Sequence, residues 1–409
     1  MSMSVIRSRG LLPLVTAETI SALGSQMTFL ALPWFVLVTT GSAGRMTVVL
    51  AVQLAPIAIL GIPSGALISK LGARRTLIIG DAARAPLMAA IPLLHALDML
   101  SFPLLLVLVA AIGCFLAPYF SAQRLILPEL VGDDEQAVAL GNAFLEGLPR
   151  LMGLLGPAAA GVLIAVLDAP SVLYVDAATF AVSAVVLTLF VPARPPLAPS
   201  DDAKGLFAGV RFLLRHRLLG PLAGCALVLN ALGQMLVAAL PVLAYEEFGG
   251  SSRVAGVFFG SFGAGAVVGM VVAMRMMPRV DPIRLAATSL VALTLPIWLL
   301  LADLPAWGVV GALFVSAIFG PLVNAPLLGV LTTRTPTGLR PKVMTALITF
   351  AMLAGPVGLL VAGPLLERFG PHAVFGVVAA GELAAALVFA AVALRHREAG
   401  PELALADPV

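Results

Sequence analysis

Apolar runs of about 20–28 residues, broken by short clusters of glycine, proline and charge, follow one another along almost the whole chain. Each run is long enough to cross the roughly 30 Å hydrocarbon core of a bilayer as a helix. The pattern predicts twelve spans. They fall roughly at 11–38, 45–68, 77–97, 103–127, 138–167 and 171–191, then at 218–245, 253–277, 284–302, 307–332, 341–366 and 372–394. The long connection is 192–217, where Pro192, Pro195, Pro196 and Pro199 precede Asp201, Asp202 and Lys204. Its last part sets Leu206, Phe207, Val210, Leu213 and Leu214 against Arg211, Arg215 and Arg217. Such a segment suits either a helix lying on a membrane surface or a plain linker helix leading into span seven.

The punctuation repeats. Ala31-Leu32-Pro33 is followed, twelve residues after its proline, by Arg45, and Ala239-Leu240-Pro241 is followed at the same distance by Arg253, a lag of 208. Gly156-Pro157 and Gly355-Pro356 echo each other at a lag of 199. A half-length repeat in an apolar chain predicts two homologous bundles, an architecture found mostly among secondary transporters. The expected fold class is an all-α membrane protein with twelve transmembrane helices in two pseudo-symmetric bundles. Its divisions are an N-terminal six-helix bundle over 1–191, a linker over 192–217, and a C-terminal six-helix bundle with a short tail over 218–409.

Composition excludes a soluble globular domain: 60% of residues are hydrophobic and 11% charged, against about 25% charged in soluble proteins. Mean hydropathy is +1.07. The net charge of +3 says little alone, and no nucleic-acid partner is expected. Its distribution is more telling. Nineteen Lys and Arg fall on one side of the predicted spans, and Arg45, Arg253 and Arg368 on the other, with Arg84 and Arg150 inside spans. By the positive-inside rule both termini are cytoplasmic. Arg7 and Arg9 lead straight into about 28 mainly apolar residues, too long for a signal-peptide core, so this stretch is read as an uncleaved first span. Arginine far outnumbers lysine, which stands only at Lys70, Lys204 and Lys342; the expected site is a bacterial plasma (inner) membrane. The two cysteines, Cys114 and Cys225, lie in apolar spans, and His95, His216, His372 and His396 at span ends or in loops. No metal site or nucleophilic cluster can be assembled from sequence neighbours, which argues against an intramembrane enzyme. A sensor or scaffold would need a soluble domain or docking tail, and the segment after Arg397 is short and featureless.

Between spans two and three stands Gly65-Ala66-Leu67-Ile68-Ser69-Lys70-Leu71-Gly72-Ala73-Arg74-Arg75. Gly65 allows close helix approach, Gly72 permits a tight turn, and the cations hold the loop at the cytoplasmic face. The segment resembles the signature loop of the major facilitator superfamily. Ser69 stands where that family usually has an aspartate of a charge relay closing the cytoplasmic gate; Asp81 and Arg84, just inside span three, are candidates for that role. Gly153, Gly156-Pro157 and Gly161 in span five look like the glycine-proline motif of the family's exporters, a place to bend or slide. Span four lacks the mid-membrane arginine of another antiporter motif, and Arg124 stands near its end instead. Ala31-Leu32-Pro33-Trp34, Gly141-Asn142-Ala143 and Asp176-Ala177-Ala178-Thr179-Phe180 resemble the branch of macrolide-efflux and siderophore-export permeases. The resemblance covers essentially the whole chain. It implies a central cavity lined by spans 1, 2, 4, 5, 7, 8, 10 and 11, with spans 3, 6, 9 and 12 peripheral.

An ionisable group in hydrocarbon costs at least a few kcal/mol, so each one calls for a reason. Glu18 lies about 10 Å into span one, with Ser21 and Ser25 on its face. It is either a proton- or cation-binding carboxylate or a buried carboxyl satisfied by hydroxyls. Glu146 and Arg150, four apart in span five, are either a neutralised pair or a switch. Gln53, Asn230, Gln234 and Asn324 are substrate contacts or interhelical glue. Asp176 and Glu382 stand in spans six and twelve and are read as structural; Phe29, Phe115, Tyr119 and Phe144 as packing or cavity wall. The expectation is a secondary transporter, without cofactor and driven by a proton gradient. It exports an amphipathic small molecule through alternating access, working as a monomer in the bilayer. Import of a nutrient or ion, or export of a siderophore or metabolite, is the alternative on the same fold.

Overall fold

The computed structural model describes residues 10–131, 135–193, 219–334 and 340–398, which are helical nearly throughout. The helices are α1 (Leu11–Thr40), α2 (Ala43–Leu71), α3 (Ala73–Ala96), α4 (Phe102–Val131), α5 (Glu135–Val166) and α6 (Ala169–Phe190). They continue with α7 (Leu219–Glu247), α8 (Ser252–Met276), α9 (Pro282–Leu299) and α10 (Ala306–Arg334). The stretch Arg340–Glu398 turns at Gly370, with φ 73 and ψ −179, and so supplies α11 and α12. All twelve predicted spans find their helix. Among the described residues, nine stretches are long and apolar enough to cross a membrane. The amphipathic segment 205–217, the acidic residues Asp133 and Asp134, and the tail beyond 398 lie outside the described residues.

Backbone groups facing lipid have no water to bond to, so the chain satisfies them within helices and caps the ends. At the end of α1, Gly41 takes a left-handed conformation (φ 62) and donates its N–H to Leu37 O at 2.9 Å. Ser42 then opens α2 by accepting from the Arg45 N–H at 3.1 Å. In the second half Gly249 has φ 65, eight residues after Pro241 as Gly41 is eight after Pro33. The repeated punctuation is thus a repeated helix stop. Gly72 is the single residue between α2 and α3, with φ 81 and ψ 154, a region that only glycine enters freely.

Contacts divide the chain into two compact units, Met1–Ser200 with Leu240–Gly260, and Asp201–Ala239 with Ser261–Val409. In the first unit α1 packs on α5 and α6, α3 on α4 and α6, and α2 on α4, around Leu14, Leu77, Ile126, Leu127 and Leu187. The segment Leu240–Gly260 joins this unit through small residues. A Cβ on Gly161 of α5 would stand 2.6 Å from Ser252 O and 2.8 Å from Gly256 Cα, and the Ser252 hydroxyl donates to Gly161 O at 3.1 Å. Phe29 meets Phe259 edge-on at 5.8 Å, and Trp34 meets Tyr245 at 6.2 Å. The second unit centres on Leu222, Cys225, Ala286, Leu290, Val323 and Phe389. There α8 lies backbone-close to α10, where side chains at Gly265 and Gly269 would collide with the carbonyls of Phe314 and Ile318. Cys225 is buried in this core, whereas Cys114 of α4 is exposed. The two six-helix halves drawn from the sequence remain our proposal for the domains.

Candidate functional site

Polar residues on α1 recur at Glu18, Ser21 and Thr28, spacings that keep them on one face of a helix. All three are buried, so each needs partners from neighbouring helices. Those partners come from α3, α4 and α6, and together they form a buried polar cluster inside the first unit.

Glu18 accepts hydrogen bonds from the Gln123 amide and stands 3.0 Å from the Tyr119 hydroxyl. Tyr119 and Gln123 are four apart on α4 and therefore share a face. The same Tyr119 hydroxyl lies 3.2 Å from Asp81 Oδ2. Asp81, on α3, also accepts from Ser21 at 3.3 Å and from Ser183 of α6 at 2.6 Å, and its remaining partner is the Arg84 guanidinium. Asp81 and Ser183 are fully enclosed (0% exposed) and Arg84 nearly so (2%).

Arg84 is held on all sides. Its Nε donates to Gly80 O at 3.2 Å. Its planar cation lies between two rings, 4.2 Å from the Tyr119 centroid and 4.3 Å from that of Phe180, where the π faces attract it. Gly80 makes room for the arrangement: a Cβ there would stand 3.0 Å from Tyr119 Cδ2.

Two turns further along α6 the polar face continues at Asp176, which is fully buried. Thr28 donates to its Oδ2 at 2.5 Å, and Thr179 donates to its backbone O at 2.7 Å and stands 3.2 Å from its Oδ1. Opposite them on α1 is Gly24. A Cβ at that position would overlap Thr179 Oγ1 and Asp176 Oδ1, so the close approach of α1 and α6 requires glycine. Gly24→Ala is expected to destabilise the protein by about 1–3 kcal/mol through overpacking. Thermal denaturation in detergent measures this, and an unchanged melting temperature would contradict the contact.

The residues singled out from sequence are distributed as follows. Glu18, Asp81 and Arg84 come together in this cluster, but Asp81 and Arg84 lie about 12 and 16 Å along α3 from Ala73, well inside the bundle and away from the loop. At the loop, Lys70 and Arg75 are exposed. Arg74 instead reaches back to the end of α6, donating to Thr188 O at 2.7 Å and Val191 O at 2.6 Å, carbonyls that a helix terminus leaves without intrahelical donors. Gln53 is half-buried on α2, and its carbonyl lies 2.6 Å from where a Gly113 Cβ would stand. Asn230 and Gln234 are half-buried on α7 and Asn324 is exposed on α10, all in the second unit. On α5, Gly156 presses on Gln26 of α1, where a Cβ on the glycine would stand 2.5 Å from Gln26 Cβ, while a Cβ on Gly153 would stand 3.9 Å from the Gln26 amide and one on Gly256 3.0 Å from Pro157 O. Gly65 and the side chains of Ser69, Glu146 and Arg150 lie outside the described residues.

The sequence reading missed Thr28, Gln123 and Ser183, and took Tyr119 for packing or cavity wall. The available signal was periodicity: 119/123 on α4 and 176/179/183 on α6 are polar stripes on otherwise apolar helices. Chemically, the cluster offers carboxylates, a phenol, hydroxyls and an amide around one fixed cation. That set can hold and pass protons; a metal ion would have to share it with the Arg84 guanidinium, which repels it.

The family profile described as Major Facilitator Superfamily matches residues 14–233 and 222–407. The chain is 27% identical over 408 residues to the multidrug efflux pump Tap of Mycobacterium tuberculosis, covering 96% of each. It is 29% identical over 381 residues to Tap of Mycolicibacterium fortuitum, 89% of this chain and 91% of that one. The crystal structure of the nucleoside transporter NupG superposes with a TM-score of 0.73 at 14% identity, covering 93% of this chain and 98% of that one; at that identity the likeness speaks for the fold alone.

Proposed function

Because the chain belongs to the Major Facilitator Superfamily, we propose that it is a secondary transporter exporting amphipathic small molecules in exchange for protons. The observation that carries the proton half is an imbalance of charge. Among the described residues of the first unit, three carboxyl groups are buried, Glu18, Asp81 and Asp176, against one buried guanidinium, Arg84. One cation neutralises one carboxylate. A further carboxylate left charged in hydrocarbon would cost several kcal/mol, and a bound proton removes that cost. A protein obliged to carry protons within its bundle has the means to trade them for a substrate.

Export is supported by the relatives named multidrug efflux pumps and by the Gly153, Gly156-Pro157, Gly161 run of α5. The distribution of Lys and Arg supports a multi-pass protein of the plasma membrane with both termini cytoplasmic. We take it to work as a monomer, with the small-molecule substrate, protons and lipid as its partners. In this reading Glu18 is the coupling carboxylate, and Glu146 and Arg150 are the candidates for a switch in α5. Gln53, Asn230, Gln234 and Asn324 are the candidate substrate contacts.

Everted vesicles of a pump-deficient bacterium, with and without the protein, test the proposal using ethidium, rhodamine 6G and Hoechst 33342. Energising the vesicles should drive accumulation of at least one dye, and a proton uncoupler should abolish it. Dye movement in the opposite sense would replace export by import, and accumulation untouched by the uncoupler would remove proton coupling.

A further inference from the structure

One atom in the cluster is asked to do two things. The Tyr119 hydroxyl stands 3.0 Å from Glu18 Oε1 and 3.2 Å from Asp81 Oδ2, both within hydrogen-bonding reach. A phenol has a single proton to donate and must accept in its other bond. Both contacts can be hydrogen bonds only when one of the two carboxyls carries a proton and donates it to the phenol oxygen. The arrangement is a carboxyl, a hydroxyl and a carboxylate in line, with one proton more than the two side chains at its ends would hold when both are charged.

Resting on the proton-coupled reading above, we propose that Tyr119 relays a proton between Glu18 and Asp81. The step balances without any further reactant. The O–H bond of the Glu18 carboxyl breaks as an O–H bond forms on Tyr119 Oη, while the original phenol O–H breaks and its proton bonds to Asp81 Oδ2. Tyr119 ends as it began, a neutral phenol. Glu18 ends as a carboxylate still bonded by the Gln123 amide, and Asp81 ends neutral beside Arg84. Ser183, whose hydroxyl donates to the same Oδ2 at 2.6 Å, can rotate to accept from the new O–H. The reverse step restores the Asp81–Arg84 ion pair. The proton's position therefore decides whether the Asp81 beside Arg84 is charged or neutral.

Among the described residues, the groups around the relay are few. From α1 come Glu18 and Ser21, from α3 Asp81 and Arg84, from α4 Gln123, and from α6 Ser183 and, two turns away, Asp176. Glu146 and Arg150 stand on α5, with side chains outside the described residues. The Tyr119 ring is held independently of its hydroxyl, stacked against the Arg84 cation at 4.2 Å and seated over Gly80. Removing the hydroxyl therefore leaves the ring its anchors.

The experiment compares wild type with Tyr119→Phe in proteoliposomes, using whichever of ethidium, rhodamine 6G or Hoechst 33342 the wild type moves. Three readouts are needed: transport driven by a pH gradient, proton release on dye addition in weakly buffered detergent, and dye exchange at equal pH on both sides. Tyr119→Phe should slow gradient-driven transport and proton release on the order of 10²-fold, the usual effect of losing a positioned proton-transfer group, with exchange nearly unchanged. A merely structural hydroxyl would depress all three together, and that result overturns the relay. Gradient-driven transport at the wild-type rate in Tyr119→Phe also overturns it while leaving proton coupling intact. If the wild type itself neither couples nor releases protons, the coupling reading fails first. Should Tyr119→Phe not fold, 3-fluorotyrosine placed at 119 decides. Its more acidic phenol should change the coupled rate by roughly twofold or more with exchange unaffected, and an unchanged coupled rate overturns the proposal.

Discussion

Glu18→Gln should leave the protein folded and inserted but abolish transport driven by a pH gradient. The substitution keeps size and shape. The new amide can donate its N–H to the Tyr119 oxygen, as a protonated carboxyl would, and its carbonyl can accept from Gln123, the residue that now donates to Glu18. The variant thus imitates the proton-loaded state and cannot leave it. Dye exchange at equal pH should persist, while uphill transport falls to background and dye addition no longer releases protons. Transport assays in proteoliposomes with imposed and collapsed gradients separate these quantities. Undiminished uphill transport would take Glu18 out of the mechanism and return it to the role of a satisfied structural carboxyl.

Arg84→Met should be among the most damaging substitutions to stability. Methionine fills much of the slot between Tyr119 and Phe180, but Asp81 then loses the cation beside it. Removing one partner of a buried ion pair costs about 3–5 kcal/mol because the other is left charged without compensation. Adding Asp81→Asn removes that orphan, so the double variant should recover much of the loss. Asp81→Asn alone leaves a buried guanidinium that cannot shed its proton, so it too should destabilise the protein. Thermal denaturation of the single and double variants in detergent yields the coupling between the two positions. Strict additivity of the two effects would mean that the pair is not the unit that holds α3 in place.

Much of the fold could be read from sequence because hydrocarbon imposes one rule, that backbone polar groups be satisfied within the segment. Twelve apolar runs therefore meant twelve helices, and even the stops after Pro33 and Pro241 announced themselves through glycine. The site was only partly legible. Glu18, Asp81 and Arg84 stood out because charge is rare in such runs. Their partners did not: Ser21 and Asp81 are 60 residues apart, Glu18 and Gln123 105, and Thr28 and Asp176 148. Which helix faces which is decided by packing between whole elements, and packing here turns on residues such as Gly24 and Gly80 whose signal is an absent side chain. Sorting helices into cavity-lining and peripheral, as the family resemblance implied, also drew attention away from α6, which supplies Asp176 and Ser183 to the cluster. Periodicity within α4 and α6 was the overlooked guide, since hydroxyls, amides and carboxyls in register mark the inner face of a helix without naming its neighbour.

Gly72 alone connects α2 to α3, and Gly370 alone connects α11 to α12. One residue spans less than 4 Å between successive Cα atoms and leaves no slack at either junction. Neither α3 nor α12 can slide far along its axis without dragging its predecessor along. At these two places the smallest movable part is a helical hairpin, and whatever rearrangement carries cargo across the bilayer has to be built from paired rods rather than single ones.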